Sequence, residues 1–174
     1  MNTLIYFLLF FLIWYIYMSF IDWIVHKYIL HNDNSPLPEW RRLHILHHLE
    51  YDKEMDKHGQ GLGFTYYDMF IISIFSVIPV LLVTTFIDKD YLPYVIIFHI
   101  VGTCIGVGMH NHGHRIFHQH DTLPYCMQVP YPEIYRKFIH EHHTYHHMNA
   151  KQNYCTIFLG FDYLIGTIHY SSEN

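Results

Sequence analysis

The chain has 174 residues and a formal charge of −5 with histidine neutral; 18% of its residues are aromatic and only 14% are charged. That is room for one domain rather than two, and a charged share well under the ~25% of soluble domains points to a surface spent largely in lipid. The acidic balance and the lack of a Lys/Arg run argue against a nucleic-acid-binding patch. Three scattered cysteines (Cys104, Cys126, Cys155) without a CxxC argue against a disulfide framework or a thiolate zinc site.

In chain order, Thr3 to Ile21 is almost wholly apolar (TLIYFLLFFLIWYIYMSFI). As a helix it spans ~28 Å, close to the hydrocarbon thickness of a bilayer. It lacks the positive flank and small-residue cleavage site of a signal peptide. Met69 to Ile87 is a second predicted span, with Pro79 at a position membrane helices tolerate. Tyr91 to Met109 is a third, and the short link Asp88-Lys89-Asp90 predicts a tight antiparallel hairpin. Ile134 to Ile139 and Cys155 to Ile168 are too short or too polar to span and read as interfacial or soluble-side elements, a possible fourth contact with the membrane. The expectation is an all-α integral membrane protein, one domain over residues 1–174, with about three transmembrane helices and a helical cap. Nine of the ten Lys/Arg follow the first or the third span, and Lys89 alone lies on the other side. The positive-inside rule makes the cap cytoplasmic.

Histidine is the outlier, with eighteen in the chain. Seventeen fall in the two regions assigned to the cytoplasmic side, and His99 lies inside the third span. They form four clusters: HKYILH with His26 and His31; HILHH with His44, His47 and His48; HNHGHRIFHQH with His110, His112, His114, His118 and His120; and HEHHTYHH, ending in His143, His146 and His147 after His140 and His142. His58, His99 and His169 stand apart and read as ordinary hydrogen-bonded histidines. On a helix, positions i, i+3 and i+4 share a face, so each HxxHH is expected to aim three imidazoles at one point. His26 and His31, five apart, lie ~140° apart around an α-helix. They either address two metals or sit where the helix ends. Eight to ten neutral imidazoles exceed one tetrahedral zinc site and suit two metals. Imidazole serves Fe, Zn, Cu and Ni alike, so ligand type leaves the metal open. No Glu-x-x-His occurs, which excludes the soluble di-iron carboxylate pattern.

The series HKYILH, HILHH, HRIFH, HTYHH resembles the fatty acid hydroxylase/sterol desaturase superfamily. The tail strengthens the likeness: the last HxxHH is followed by Asn153-Tyr154, then Asp162 and Gly166-Thr167, with Cys155 where the family usually has glycine and Ile165 where it has phenylalanine. The resemblance runs from about Ile21 to Thr167. It implies membrane helices capped by a cytosolic domain holding two iron ions, with O2 as co-substrate and a membrane lipid, such as an acyl chain or sterol, as substrate. It also implies electrons from a separate donor such as cytochrome b5 or ferredoxin. Such enzymes sit in the endoplasmic reticulum or a bacterial inner membrane. The ligands it implies are His26, His31, His44, His47, His48, His114, His118, His143, His146 and His147. In the third cluster His110/His114 match equally well by spacing, with His112, His120 and His142 as further candidates. Asn111 favours His114/His118, because acyl-chain hydroxylases often carry Asp three residues ahead. No catalytic residue is expected beyond the metal ligands.

Small β-carotene hydroxylases are similar in length, in the first box and in Tyr67-Asp68. Their third box is usually HX4H, a spacing that no histidine pair in HNHGHRIFHQH has. Asp22, Glu50, Asp121 and Glu141 lie beside the boxes and are candidates to hold the free N–H of a ligand imidazole. A different class, a His-rich membrane metal transporter or metal-binding protein, would place its ligands within the spans.

Overall fold

The computed structural model describes residues 3–51, 64–118 and 132–169, and every helix and loop named below lies within them. His58, His120, Asp121 and Cys126 fall outside the described residues.

Helix α1 runs Thr3–Ile24 and passes directly into a π-helical turn, Val25–Leu30. Its first half exposes apolar side chains, including Ile5, Leu8, Leu9, Phe11, Leu12 and Ile13, whereas Met18, Ser19 and Trp23 are buried. Helix α2, Pro38–Glu50, starts with proline in its first turn, where the missing N–H costs nothing. Helix α3, Tyr66–Ile87, is opened by a capping box in which Thr65 and Asp68 satisfy each other's backbone N–H groups. Pro79 sits inside α3 without ending it. A short 3-10 turn, Lys89–Tyr91, leads into α4, Leu92–Phe117, and α3 and α4 pack as the expected hairpin. Helices α5, Glu133–Met148, and α6, Gly160–Ile165, complete the order.

Tyr66–Ile87 and Lys89–His114 are long and apolar enough to cross a membrane, and only 17% and 28% of their most apolar stretches are buried. The core helix of a soluble protein would be mostly covered; these present Phe75, Phe86, Tyr94 and Ile97 outward, as a lipid-facing surface does. Polar contacts cross the bundle. His99 Nε2 is 2.8 Å from Ser76 Oγ, linking α3 to α4, and the Tyr17 hydroxyl donates to the Ser76 carbonyl, tying in α1. At Gly102 a Cβ would lie 2.6 Å from Trp14 Nε1, so only glycine lets α1 come this close to α4.

The buried core sits where the membrane bundle meets the cap: Met18 and Trp23 from α1, Phe117 from α4, Ile139 from α5, and Tyr154, Cys155, Ile157, Phe158 and Leu159. The last group bears on the reading of Cys155 to Ile168 as an interfacial or soluble-side element: its first part is neither a surface helix nor exposed. Residues 155–159 are an irregular segment, bent at Thr156 and Ile157, packed beside α1, with Cys155 and Ile157 at 0% and 1% exposure. Phe158 packs edge-on against Trp14 and Tyr15. A stretch this short carries no helical period to reveal such burial. The exposed apolar face of that region belongs to α6, through Tyr163, Leu164 and Ile165.

Candidate metal centre

The π-helical turn sets the first pair of histidines. His31 N–H bonds to the His26 carbonyl at 3.1 Å, the i to i+5 bond of a π-turn. Residues five apart are thereby stacked, and the two rings lie 5.2 Å apart and nearly parallel at 16°. The ~140° separation expected for an α-helix is thus removed, and both side chains address one point where the helix ends.

His26, His31, His44, His48 and His146 bring one ring nitrogen each within 4.8 Å of all the others, and His47, His114, His118 and His143 do the same beside them. His147 completes the second group, its Nε2 3.2 Å from those of both His47 and His143. In the first group His26, His31 and His44 are linked by Nε2–Nε2 separations of 3.0 Å, with 3.1 Å from His48 to His44 and from His31 to His146. Two imidazoles at right angles around one ion at ~2.1 Å would place their nitrogens ~3.0 Å apart. The donor sets fit metal ions. Among the described residues no carboxylate or thiolate joins either group.

Each HxxHH is split rather than focused on one point, which corrects the sequence expectation. His44 and His48 serve the first group and His47 the second; His143 and His147 serve the second and His146 the first. Helical geometry explains it. Position i+4 lies only ~40° from i, whereas i+3 lies ~60° to the other side. The pentad therefore throws a pair one way and a single imidazole the other.

Protonation favours ligation. Burial and neighbouring imidazoles hold His26, His44, His143 and His146 far below the ordinary imidazole range. His31 is pushed down to about 4 by burial and by the Arg41 guanidinium. Two tautomers are set by backbone carbonyls: His26 Nδ1–H donates to Tyr154 O, and His146 Nδ1–H to Gln152 O at 2.7 Å. Their Nε2 lone pairs are left facing the group. The carboxylates beside the boxes do not fill this role as expected: Glu50 and Glu141 are exposed, and Asp22 accepts from Thr156 N–H at 2.7 Å.

The remaining candidates are placed differently. His110 lies one turn before His114, its ring stacked on that of His114 at 5.5 Å, and it lines a cavity rather than joining a group. His112 is outside both groups. His142 points the other way, its Nε2 3.3 Å from Asp162 Oδ2, a long contact. Asn111 binds the backbone N–H and C=O of Phe64, both at 2.8 Å, and so ties the start of α3 to α4. His169 stacks on Tyr145 and its N–H donates to Asn153.

A cavity of about 200 Å³ opens against both groups, walled by His26 and His44 from the first and by His47, His114 and His143 from the second. Trp40, Leu43 and Phe64 line it too; the sequence offered no signal for them. Asp22, Val25, Phe64 and His110 are shared with a smaller, apolar pocket of about 40 Å³ that lies between α1, α3 and α4 and is lined by Met18, Ile72, Gly106, Val107 and Phe158.

An all-helical membrane protein with a paired, all-histidine centre is thus defined by fold and site together. The chain belongs to the fatty acid hydroxylase family, whose model matches residues 11–167. Membership places it among membrane-associated lipid hydroxylases and desaturases. Neither the curated proteins nor the solved structures compared with the chain give a match.

Proposed function

We propose that this protein is an O2-dependent di-iron enzyme that hydroxylates or desaturates an alkyl chain of a membrane lipid. The observation that carries the reading is a group of five histidines and a group of four with His147 beside it, both opening on one cavity that continues into the apolar interior of the bundle. The ligands are His26, His31, His44, His48 and His146 for one ion, and His47, His114, His118, His143 and His147 for the other. Iron held there supplies the redox chemistry needed to activate O2 and break an unactivated C–H bond. The chain's own part is positional. Met18, Ile72, Val107 and Phe158 hold the alkyl chain, and Val25, Trp40 and Leu43 exclude water where it meets the histidines. A separate donor on the cytoplasmic side, such as cytochrome b5 or a ferredoxin, delivers the electrons. A metal-transporter reading gains nothing from the bundle, where His99 is bonded to Ser76 instead of facing a path.

Metal analysis of protein purified gently in detergent tests this first. Two irons per chain are expected; one zinc, or no metal, would sink the di-iron reading. In the same proposal α1 is a third span, and the Lys/Arg asymmetry puts the centre in the cytoplasm. Cysteines introduced at 89 and 151 in a cysteine-free background should be labelled from opposite sides, and labelling of both from one side refutes the topology.

A further inference from the structure

The metal ligands of the first group rest on a loop, residues 152–155, and that loop rests on the tail. Its two imidazole acceptors, Gln152 O and Tyr154 O, belong to peptide units whose N–H groups point away from the histidines. Asn153 N–H donates to Thr167 O at 3.0 Å, and Cys155 N–H donates to Asp162 Oδ2 at 2.7 Å. The peptide between Tyr154 and Cys155 therefore accepts from His26 on one side and donates to a carboxylate on the other. Asp162 is completely buried and its second oxygen is occupied as well, by Tyr154 N–H at 3.3 Å and by the Thr167 hydroxyl. Gly166, at φ +70°, turns the chain so that Thr167 N–H returns to Asp162 O at 3.0 Å. A side chain there would strain this closure.

We propose that Asp162 is a positioning residue for the first metal group, acting on His26 through the peptide bond between Tyr154 and Cys155. The inference rests on His26 being a ligand. A hydrogen bond from an amide N–H to a carboxylate draws electron density toward the carbonyl oxygen of that amide, and hydrogen bonds in series polarise one another. Tyr154 O is thereby a stronger acceptor for the His26 Nδ1–H. It fixes the ring orientation and makes Nε2 a better donor to metal, as a directly bonded carboxylate does in ordinary histidine sites. His146 supplies an internal comparison. Its peptide, 152–153, has the same geometry but is backed by the neutral carbonyl of Thr167. Asp22 supplies another: it binds Thr156 N–H, one peptide further along, and not the unit that holds His26.

The test is zinc titration of metal-stripped, full-length protein in detergent, by competition with a chromophoric chelator, for wild type, Asp162→Asn and Asp22→Asn. Wild type binding two zinc ions upholds the metal-site reading by itself; the variants are judged against it. Asp162→Asn should weaken one site ten- to a hundredfold, the range of comparable outer partners. That site should be the one abolished by His31→Ala, and Asp22→Asn should leave it within a few-fold of wild type. In zinc-loaded protein labelled with 15N-histidine, the His26 Nδ1–H resonance should move upfield in Asp162→Asn while that of His146 stays. Equal weakening of both sites, equal effects of the two Asn variants, or an unmoved His26 resonance would overturn the proposal. If Asp162→Asn does not fold, Thr167→Val decides. Losing the hydroxyl leaves the carboxylate to pull harder on Cys155 N–H, so first-site affinity should hold or rise, and a fall overturns the assignment.

Discussion

Splitting each HxxHH between two ions makes a prediction that a focused triad reverses. The perturbation is removal of imidazoles in pairs. His47→Ala with His143→Ala takes two ligands from the second group, leaving His114, His118 and His147, and leaves the first group complete. His47→Ala with His146→Ala takes one from each. A structural zinc site held by four ligands is worth ~10–16 kcal/mol, so each ligand here carries roughly 2–4 kcal/mol, or ~30- to 1,000-fold in affinity. Removing His146 also strips Gln152 O of its partner, a further ~1–3 kcal/mol. The assay is metal per chain after dialysis against a weak chelator. His47→Ala/His143→Ala should keep one tightly held ion, and His47→Ala/His146→Ala should have both sites weakened. If each HxxHH instead served its own ion, His47→Ala/His143→Ala would damage both sites, and His44→Ala/His47→Ala would spare one. That second pattern refutes the assignment.

Gly106→Ala places a methyl 3.1 Å from Met18 Cε and 3.3 Å from Phe158, at the wall of the apolar pocket. The flexible Met18 end can move aside, so the fold should hold while the product profile, read by mass spectrometry of host lipids, shifts to shorter chains; an unchanged profile argues against this pocket holding the chain. The pH dependence of the metal-free protein follows from His31, lowered from 6.5 to about 4 in the fold. Between those values the unfolded chain binds the extra proton, so stability is full above about pH 6.5 and falls as pH drops toward 4. Thermal unfolding at pH 7.5, 6 and 5 checks this, and a melting temperature that does not fall over that range contradicts it.

Much of the membrane architecture was legible because lipid imposes a one-dimensional rule. Uninterrupted apolar length marked the α3/α4 hairpin, and the histidine spacings marked the chemistry. The way the site is assembled was not legible, for identifiable reasons. His26 and His31 could be brought together only by a local π-turn, and no residue in VHKYIL announces one. The outer partners of His26 and His146 are carbonyl oxygens of Tyr154 and Gln152, which every residue possesses. Asp162 stood out in the tail, but its partners lie in a loop seven or eight residues earlier, and only the fold shows that it faces the back of a peptide. The burial of 155–159 depends on packing against Trp14 and Tyr15, more than a hundred residues away.

A centre of neutral imidazoles contributes no negative charge, yet it would carry two cations into a buried site. In such surroundings charge is costly unless it is answered nearby. The buried carboxyl of Asp162 is held below its ordinary value: burial alone would raise it, but the His142 imidazole, the Thr167 hydroxyl and the Cys155 N–H outweigh that. It is kept ionised one peptide away from His26 rather than in contact with it. That separation leaves the metal side to nitrogen alone. In the proposed reaction it keeps the Asp162 carboxylate away from the positions that O2 and the alkyl chain would reach, while its field would act on His26 through the amide. The cavity is lined by histidines of both groups, by Val25, Leu30, Trp40, Leu43 and Phe64, and by the polar Asp22, Thr65, Asp68 and Thr156. The negative charge of Asp162 sits behind the first group and off the walls of both pockets, so an uncharged chain arriving from the bundle past Asp22 would not meet it.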